Sequence, residues 1–152
     1  MANVLITGAT GMVGKGVLLE CIQHPQIESI TLISRSPVDI ESPKIKQVLL
    51  EDFMEMGTVK DQLGHIDGCF HCMGVSSVGI SEEKYTKLTF KVTKKLADMC
   101  FELNPDMTFI YVSGLGTDST EEGKQMWARV KGKTENYILG KGFKRPTCFD
   151  RD

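Results

Sequence analysis

The sequence predicts an α/β fold, a doubly wound parallel sheet of about six strands with helices on both faces. Two observations support this prediction. Short apolar runs rich in β-branched residues alternate with helix-like segments along the whole chain of 152 residues. These runs are apolar throughout, which is typical of strands that helices cover on both sides after right-handed crossovers.

The expected elements alternate from the start of the chain. ANVLIT is the first strand, and GMVGKGVLLECIQ, which a proline ends, is the first helix. Further strands are expected at SITLIS, KQVLL, IDGCFHCM, MTFIYVS and RPTCF. Helices are expected near MGTVKDQL, over residues 81–104 and over residues 121–139. Ser81 is predicted to cap the long helix, which Asn104 and Pro105 end.

Composition and charge exclude several classes of protein. The 41% hydrophobic and 25% charged residues are ordinary for a globular chain, so we expect a single domain over residues 1–152. A net charge of -2 gives no electrostatic reason to expect nucleic acid or an anionic membrane as a partner. The segment MANVLITG lacks a charged leader region and is too short to span a bilayer. We therefore expect a cytoplasmic protein with small-molecule ligands.

The five cysteines are expected to be reduced and to pack as small hydrophobic residues, because they are odd in number and scattered through core segments. Cys69 and Cys72 form a CxxC pair in a predicted strand. Residues three apart in a strand point to opposite faces, so this pair cannot hold one metal ion or form a redox disulfide. We expect no metal site.

Glycines at GxxGxxG spacing in TGATGMVG lie between the first strand and the first helix, the context in which this motif binds a dinucleotide in a Rossmann-type sheet. Gly8 suits a tight turn, Gly11 lets backbone approach a pyrophosphate, and Gly14 lets the helix pack on the sheet. The helix N terminus adds N–H groups for the phosphates. The residues expected to contact the nucleotide are Gly8, Thr10, Gly11, Met12, Val13 and Gly14. The alternative is a structural turn without a ligand.

The residue that closes the second strand is expected to distinguish NAD from NADP, because it meets the adenosine ribose. Arg35 lies 21 residues after Gly14, close to the expected spacing. An arginine there accommodates a 2′-phosphate, to which Ser34 and Ser36 offer hydroxyl groups, and the next carboxylate is Asp39. This pattern favours NADP(H) over NAD(H). A surface arginine after a strand is the competing interpretation.

Two further positions follow predicted strands and therefore lie at the same edge of the sheet. Asp52, in LLEDF, is placed to accept a hydrogen bond from the adenine amino group. A solvated loop carboxylate explains Asp52 equally well. Gly74, in MGVSS, follows the fourth strand, where backbone passes close to the sugar and phosphates of a cofactor.

Several segments carry a family resemblance: TGATGMVG, the SR that ends the second strand, the ED after the third, YVSGLG after the fifth, and VKGKTE in the next helix. Together they resemble the short-chain dehydrogenase/reductase superfamily over nearly the whole chain. The chain is most similar to the epimerase-like and atypical branch, which includes oxidoreductases related to the human HIV Tat-interacting protein. The resemblance implies an NAD(P)-binding domain that acts on a carbonyl or alcohol.

The resemblance also implies a catalytic set, of which one member is replaced here. Ser113 would polarise the substrate carbonyl, and Lys131 would bind the nicotinamide ribose and lower the pKa of a tyrosine. That tyrosine belongs four residues before the lysine, where this chain has Trp127. An indole donates a hydrogen bond but does not ionise usefully, so it cannot exchange the proton. Tyr137 and Lys141 also match YxxxK, but roughly 15 Å further along the helix and away from the site.

The end of the chain is a second departure from the family pattern. Relatives continue past the sixth strand into an RPG-type turn and residues that wall the substrate pocket, whereas this chain ends RPTCFDRD. We expect the C-terminal substrate lobe to be absent or truncated. The leading hypothesis is an NADP(H)-binding oxidoreductase with an unknown small-molecule substrate. The alternative is a non-catalytic NADP(H)-binding sensor or interaction module. Pairing through two long helices is common in related proteins, which leaves a homodimer open.

Overall fold

The predicted sheet is confirmed. The computed structural model describes residues 1–149 and contains one sheet of six parallel strands. The strands are β1 (Ala2–Thr7), β2 (Ile27–Ser34), β3 (Ile45–Leu49), β4 (Gly68–His71), β5 (Thr108–Val112) and β6 (Arg145–Phe149). Their order is β3-β2-β1-β4-β5-β6, so the direction of winding reverses between β1 and β4. Ligands of doubly wound sheets bind beyond the carboxyl ends of the strands at this reversal.

Helical segments occupy each of the four regions that the sequence predicts, but they differ in detail. They are α1 (Met12–Gln23), a 3-10 segment (Phe53–Gln62), α2 (Glu82–Thr86), a π-helical segment (Lys87–Lys91), α3 (Val92–Leu103) and α4 (Met126–Gly140). Ser81 caps α2 by accepting a hydrogen bond from the backbone N–H of Lys84, and Asn104 follows the last residue of α3, as predicted. The π-helical segment between α2 and α3 was not expected from the sequence.

Two predicted helices are corrected by the structure. The segment near MGTVKDQL is a 3-10 helix with a kink at Glu55, where φ is -92° and ψ is 25°. The last helix begins at Met126 rather than near residue 121, because Glu121 takes a left-handed conformation with φ of 63°. Residues 113–125 therefore form a long loop before α4. Part of the predicted departure at the chain end falls on residues 150–152, outside the described residues.

Two hydrophobic clusters lie on opposite faces of the sheet, as a doubly wound fold requires. One face packs against α3, α4 and the 3-10 segment, and the other against α1. Cys69 lies in the cluster on the α3 face with Cys100, whereas Cys72 lies outside that cluster and near Cys21 of α1. Burial raises the pKa of the Cys72 thiol to about 11, which keeps it protonated.

Among residues 1–149, none of the helices has the length and apolar character needed to cross a membrane. Within the same range, no group of three or more His, Cys, Asp or Glu side chains is arranged to hold a metal ion.

Candidate functional site

Two glycines of the loop after β1 are required by close backbone packing. Gly8 has a φ of +74°, and a Cβ atom there would lie 2.6 Å from the backbone nitrogen of Met73 after β4. At Gly14 an added Cβ would lie 1.9 Å from the carbonyl oxygen of Gly8. Both distances are too short for a side chain, so any other residue would displace α1 or β4.

Gly11 differs from the other two glycines because its missing side chain leaves open space. An added Cβ would meet only the carbonyl oxygen of Gly8, at 3.5 Å, which is an ordinary contact. Gly11 is also the N-cap residue of α1, and no side chain caps this helix. The first turn, with Met12 and Val13, therefore presents backbone N–H groups and the positive end of the helix dipole. This arrangement suits a phosphate group.

A cleft of about 460 Å³ lies beside this loop, at the carboxyl ends of β1, β2, β3 and β4. The π-helical segment closes it with Lys87 and Leu88. The sequence-predicted residues that line it are Gly8, Thr10, Gly11, Ser34, Arg35, Asp52 and Gly74. Met12, Val13 and Gly14 adjoin the cleft through the backbone of α1 and do not line it. The structure thus brings most of the predicted nucleotide contacts together.

Three of these lining residues differ in the hydrogen bonds that their side chains make within the protein. Ser34 is 8% exposed, and its hydroxyl donates to the carbonyl oxygen of Ser36 at 2.8 Å. Asp52 begins the 3-10 segment, where its Oδ1 accepts from the N–H of Met54 at 2.9 Å. Arg35 is exposed at the rim of the cleft. Of the three, the arginine offers the charged group most directly to a ligand.

Lys131 of α4 lies at the far end of this edge of the sheet. It lines a small cavity of about 10 Å³. Gly74 and Leu88 line both this cavity and the main cleft, so the two spaces adjoin. A Cβ atom added at Gly114 would lie 3.5 Å from Nζ of Lys131. The predicted ribose-binding lysine therefore stands beside the cleft.

Ser113 and Trp127 lie outside both spaces. Ser113 is 1% exposed, and its hydroxyl donates a hydrogen bond to Oε1 of Glu135 on α4. Trp127 is half-buried in the first turn of α4 and packs against Gly116 of the long loop. Neither side chain lines the cleft or the small cavity. The contact of Ser113 with a substrate carbonyl remains a prediction that this geometry does not favour.

None of the three tyrosines offers a replacement for the missing proton donor. The hydroxyl of Tyr137 donates to Oδ1 of Asp98 on α3, within a group that includes Lys94 and Lys141. Tyr111 and Tyr85 are 2% and 1% exposed, and burial raises the pKa of each phenol. They therefore remain protonated near neutral pH.

His71 has a role in this region that the sequence analysis did not assign. The ring is 1% exposed, with Nδ1 2.6 Å from Oγ1 of Thr7 and Nε2 2.7 Å from Oγ1 of Thr93. It also stacks on Tyr111, with ring centroids 5.5 Å apart. Burial lowers the pKa of His71 to about 4, so the ring is neutral near pH 7. The two threonine hydroxyls complement its one donor and one acceptor.

A family match agrees with the glycine loop, the order of the strands and the position of the cleft. Residues 4–127 match the NAD dependent epimerase/dehydratase family. The chain belongs to this family. The family is NAD dependent, which supports a nucleotide-binding, epimerase-like protein.

Curated relatives of this family member come from fungi. Leucinostatins biosynthesis cluster protein T of Purpureocillium lilacinum is 28% identical over 123 residues, which is 78% of this chain and 45% of that protein. Protein FMP52, mitochondrial, of Debaryomyces hansenii is 26% identical over 145 residues, 94% of this chain and 62% of that protein. The chain thus spans less than two thirds of the length of both relatives.

Solved structures share the fold at low sequence identity. A variant of uronate dehydrogenase from Agrobacterium tumefaciens, complexed with NAD, has a TM-score of 0.73 and 22% identity, covering 97% of this chain and 59% of that chain. UDP-glucose 4-epimerase from Thermotoga maritima, with UDP-glucose, has a TM-score of 0.76 and 17% identity, covering 97% and 54%. These likenesses show the fold, a Rossmann-type parallel sheet.

The nucleotide of the NAD-dependent epimerase/dehydratase family fits the residues present here. Gly11 leaves the space that a Cβ atom would otherwise occupy, and the uncapped N terminus of α1 faces it. Sequence reasoning identified this part of the site from the glycine spacing. It missed Glu135, although Glu135 lies one helical turn after Lys131. Strand alternation also places Ser113 on the buried face that holds Tyr111, a signal that predicts its direction.

Proposed function

We propose that this chain is an NADP(H)-binding oxidoreductase of the epimerase-like short-chain dehydrogenase/reductase type, acting on a carbonyl or alcohol. The observation that carries the cofactor choice is Arg35. It follows the last residue of β2 and lines the same cleft as the glycine loop. An arginine at this point accommodates a 2′-phosphate, whereas a carboxylate would bind the ribose hydroxyls of NAD. Its planar guanidinium binds a phosphate through two parallel hydrogen bonds.

The other cofactor contacts follow from the fold. The backbone of Gly11 and the first turn of α1 bind the pyrophosphate, and Asp52 accepts from the adenine amino group through the carboxylate oxygen that does not cap the 3-10 segment. Gly74 lets backbone pass beside the sugar and phosphates, and Lys131 binds the nicotinamide ribose. A bound nicotinamide supplies or accepts the hydride.

Isothermal titration with NADPH and with NADH tests the cofactor choice. We expect tighter binding of NADPH in the native chain and loss of this preference in Arg35→Asp. Arg145→Asp is the matched control, because Arg145 is exposed on the edge strand β6 and undergoes the same change of charge. Equal affinity for the two nucleotides would overturn the NADP(H) proposal. NAD is a real alternative cofactor, since one similar solved structure, a uronate dehydrogenase variant, is complexed with NAD.

A second candidate function is an NADP(H)-dependent sensor without turnover. Two observations favour it: Trp127 replaces the tyrosine of YxxxK, and the hydroxyl of Ser113 is directed to Glu135. NADPH consumption over a panel of aldehydes and ketones separates the two functions. Robust consumption by the native chain refutes the sensor. Consumption that arises only in Trp127→Tyr supports it.

We further propose one nucleotide-binding domain over residues 1–152 and a cytoplasmic location, with a homodimer through α3 and α4 as the form to test first. All described strands join one sheet, which supports the single domain. Cell fractionation decides the location, because some curated relatives carry mitochondrial in their names. Light scattering decides the assembly.

A further inference from the structure

The loop before α4 lies along this helix and is held to it at several points. Residues 113–123 contact the helix at positions from its first turn, at Trp127, to Asn136. Three hydrogen bonds hold residues 118–123 to α4. The N–H of Asp118 donates to the carbonyl oxygen of Ala128 at 2.9 Å, and Nδ2 of Asn136 donates to the carbonyl oxygen of Ser119 at 2.9 Å. The guanidinium of Arg129 donates to the carbonyl oxygen of Gly123 at 2.8 Å. Gly132 permits this approach, since an added Cβ would lie 1.8 Å from the carbonyl oxygen of Asp118.

Glu135 holds the near half of the same loop. Its Oε1 accepts from the hydroxyl of Ser113, and its Oε2 accepts from the hydroxyl of Thr117 at 3.0 Å. Ser113 is fixed a second time, because its backbone N–H donates to the carbonyl oxygen of Phe149 on β6 at 2.7 Å. One carboxylate therefore binds two hydroxyl groups that are four residues apart in the loop. Ser113 is almost completely buried, so loss of the Glu135 carboxylate would leave its hydroxyl without this hydrogen bond.

The loop positions that face the cleft end of α4 are glycines. A Cβ atom at Gly114 would lie 3.5 Å from Nζ of Lys131, and one at Gly116 would lie 3.6 Å from the Trp127 ring. The Ser113 hydroxyl thus binds Glu135, while an added Cβ at Gly114 would approach Lys131, one helical turn earlier in α4.

We propose that Glu135 is a latch that holds residues 113–117 on α4 through Ser113 and Thr117, and that Gly114 rather than Ser113 occupies the position facing Lys131 beside the cleft. The latch and the placement rest on geometry alone. Their consequence for function, which rests on the proposed function above, is that residues 113–117 offer backbone and no side-chain hydroxyl to a substrate beside Lys131.

Cysteine labelling tests the placement. Gly114→Cys and Ser113→Cys are prepared in a Cys148→Ser background, because Cys148 is half-buried while the other native cysteines are buried. We expect iodoacetamide to modify Gly114→Cys roughly ten times faster or more, because position 114 is half-buried and lies beside the Lys131 ammonium group, which favours a thiolate. A thiol at position 113 would be buried and inert. Equal or faster modification of Ser113→Cys would overturn the placement.

Repeating the labelling with NADPH separates this inference from the proposed function. Protection of Gly114→Cys by NADPH supports both. If the labelling order holds without any protection, the nucleotide proposal fails in this part of the cleft and the placement stands.

A double-mutant cycle tests the latch. We expect Ser113→Ala and Glu135→Ala each to lower Tm by roughly 4 to 8 °C, and the double variant to lower it no further than Glu135→Ala alone. Glu41→Ala, at an exposed loop position, serves as the control for loss of a carboxylate. NADPH affinity is expected to stay the same in Ser113→Ala. Additive Tm losses, or loss of NADPH affinity in Ser113→Ala at unchanged Tm, would contradict the latch.

Discussion

The nucleotide half of the molecule, residues 1–52, and the α4 half, residues 113–140, meet the same edge of the sheet but differ in what their residues provide. In the nucleotide half, Gly8 and Gly14 are demanded by backbone contacts, and Gly11 leaves space for a ligand. In the α4 half, Lys131 stands beside the cleft while Ser113 is tied to Glu135 and Trp127 packs on the loop. Under the proposed function, nucleotide binding would depend mainly on backbone geometry, whereas turnover would depend on particular side chains.

The largest expected effect is a loss of folding stability from a substitution in the nucleotide half. Gly14→Ala places a Cβ atom 1.9 Å from the carbonyl oxygen of Gly8, so we expect the free energy of unfolding to fall by about 3 kcal/mol or more. Urea unfolding measures this change. Gly16→Ala is the control, because it lies in the same helix with nothing within 4 Å of the added Cβ atom, and alanine there favours the helix by up to about 1 kcal/mol. Equal effects of the two variants would contradict the close packing of the loop.

The next largest effect concerns His71, which connects β1 with α3 between the two halves. Its pKa is about 4 in the folded chain, below the ordinary value of 6.5. Between these values the unfolded chain binds a proton that the folded chain does not. The free energy of unfolding therefore falls as pH drops from 6.5 to 4, by about 3 kcal/mol from this residue, and is unaffected by it at higher pH.

Urea unfolding across this pH window, in the native chain and in His71→Gln, measures that contribution. We expect a shallower pH dependence in His71→Gln. His65→Gln, which removes an exposed histidine that pairs with Asp67, is the control. A pH dependence that is the same in the native chain and in His71→Gln would show that the buried ring is not the cause.

A smaller effect sharpens the cofactor choice of the nucleotide half. Arg35→Asp is expected to weaken NADPH binding roughly tenfold or more, about 1.4 kcal/mol, with little change for NADH. Titration calorimetry measures both affinities. If Arg35 is only a solvated surface residue, Arg35→Asp would instead shift the affinities for NADPH and NADH by the same factor.

The smallest effect concerns the α4 half. Tyr137→Phe removes the hydrogen bond to Asp98 and is expected to lower the free energy of unfolding by about 1 kcal/mol. NADPH affinity should not change, because Tyr137 points to α3 and does not line the cleft. A loss of NADPH affinity in this variant would place the second YxxxK match in the site after all.

The sequence was sufficient for the sheet, the glycine loop and the caps at Ser81 and Asn104, because these features depend on local residue pattern. It was not sufficient for the start of α4. Asp118 there accepts hydrogen bonds from Thr120 and Gly123, and this compact turn ends in the left-handed Glu121. Helix propensity alone does not predict that side-chain hydrogen bonds of this kind compete with helix formation.

The family motif does not predict the direction of the Ser113 side chain, but the alternation of residues in the sequence of β5 does. The family pattern names a serine at the end of β5 without saying which face it takes. Strand alternation puts Ser113 on the buried face with Phe109 and Tyr111, where Glu135 binds it. The π-helical segment Lys87–Lys91 had no comparable signal, because inserting one residue into a helical turn depends on packing against α4 and the cleft.

Titration of the native chain with NADPH, alongside NADH under the same conditions, tests the central claim most directly. The claim is that the nucleotide half retains its binding function whatever the chemistry of the α4 half. We expect saturable NADPH binding that is tighter than NADH binding, and no heat of binding for NADPH in Gly8→Ala. Absence of saturable binding to either nucleotide by the folded native chain would contradict the claim.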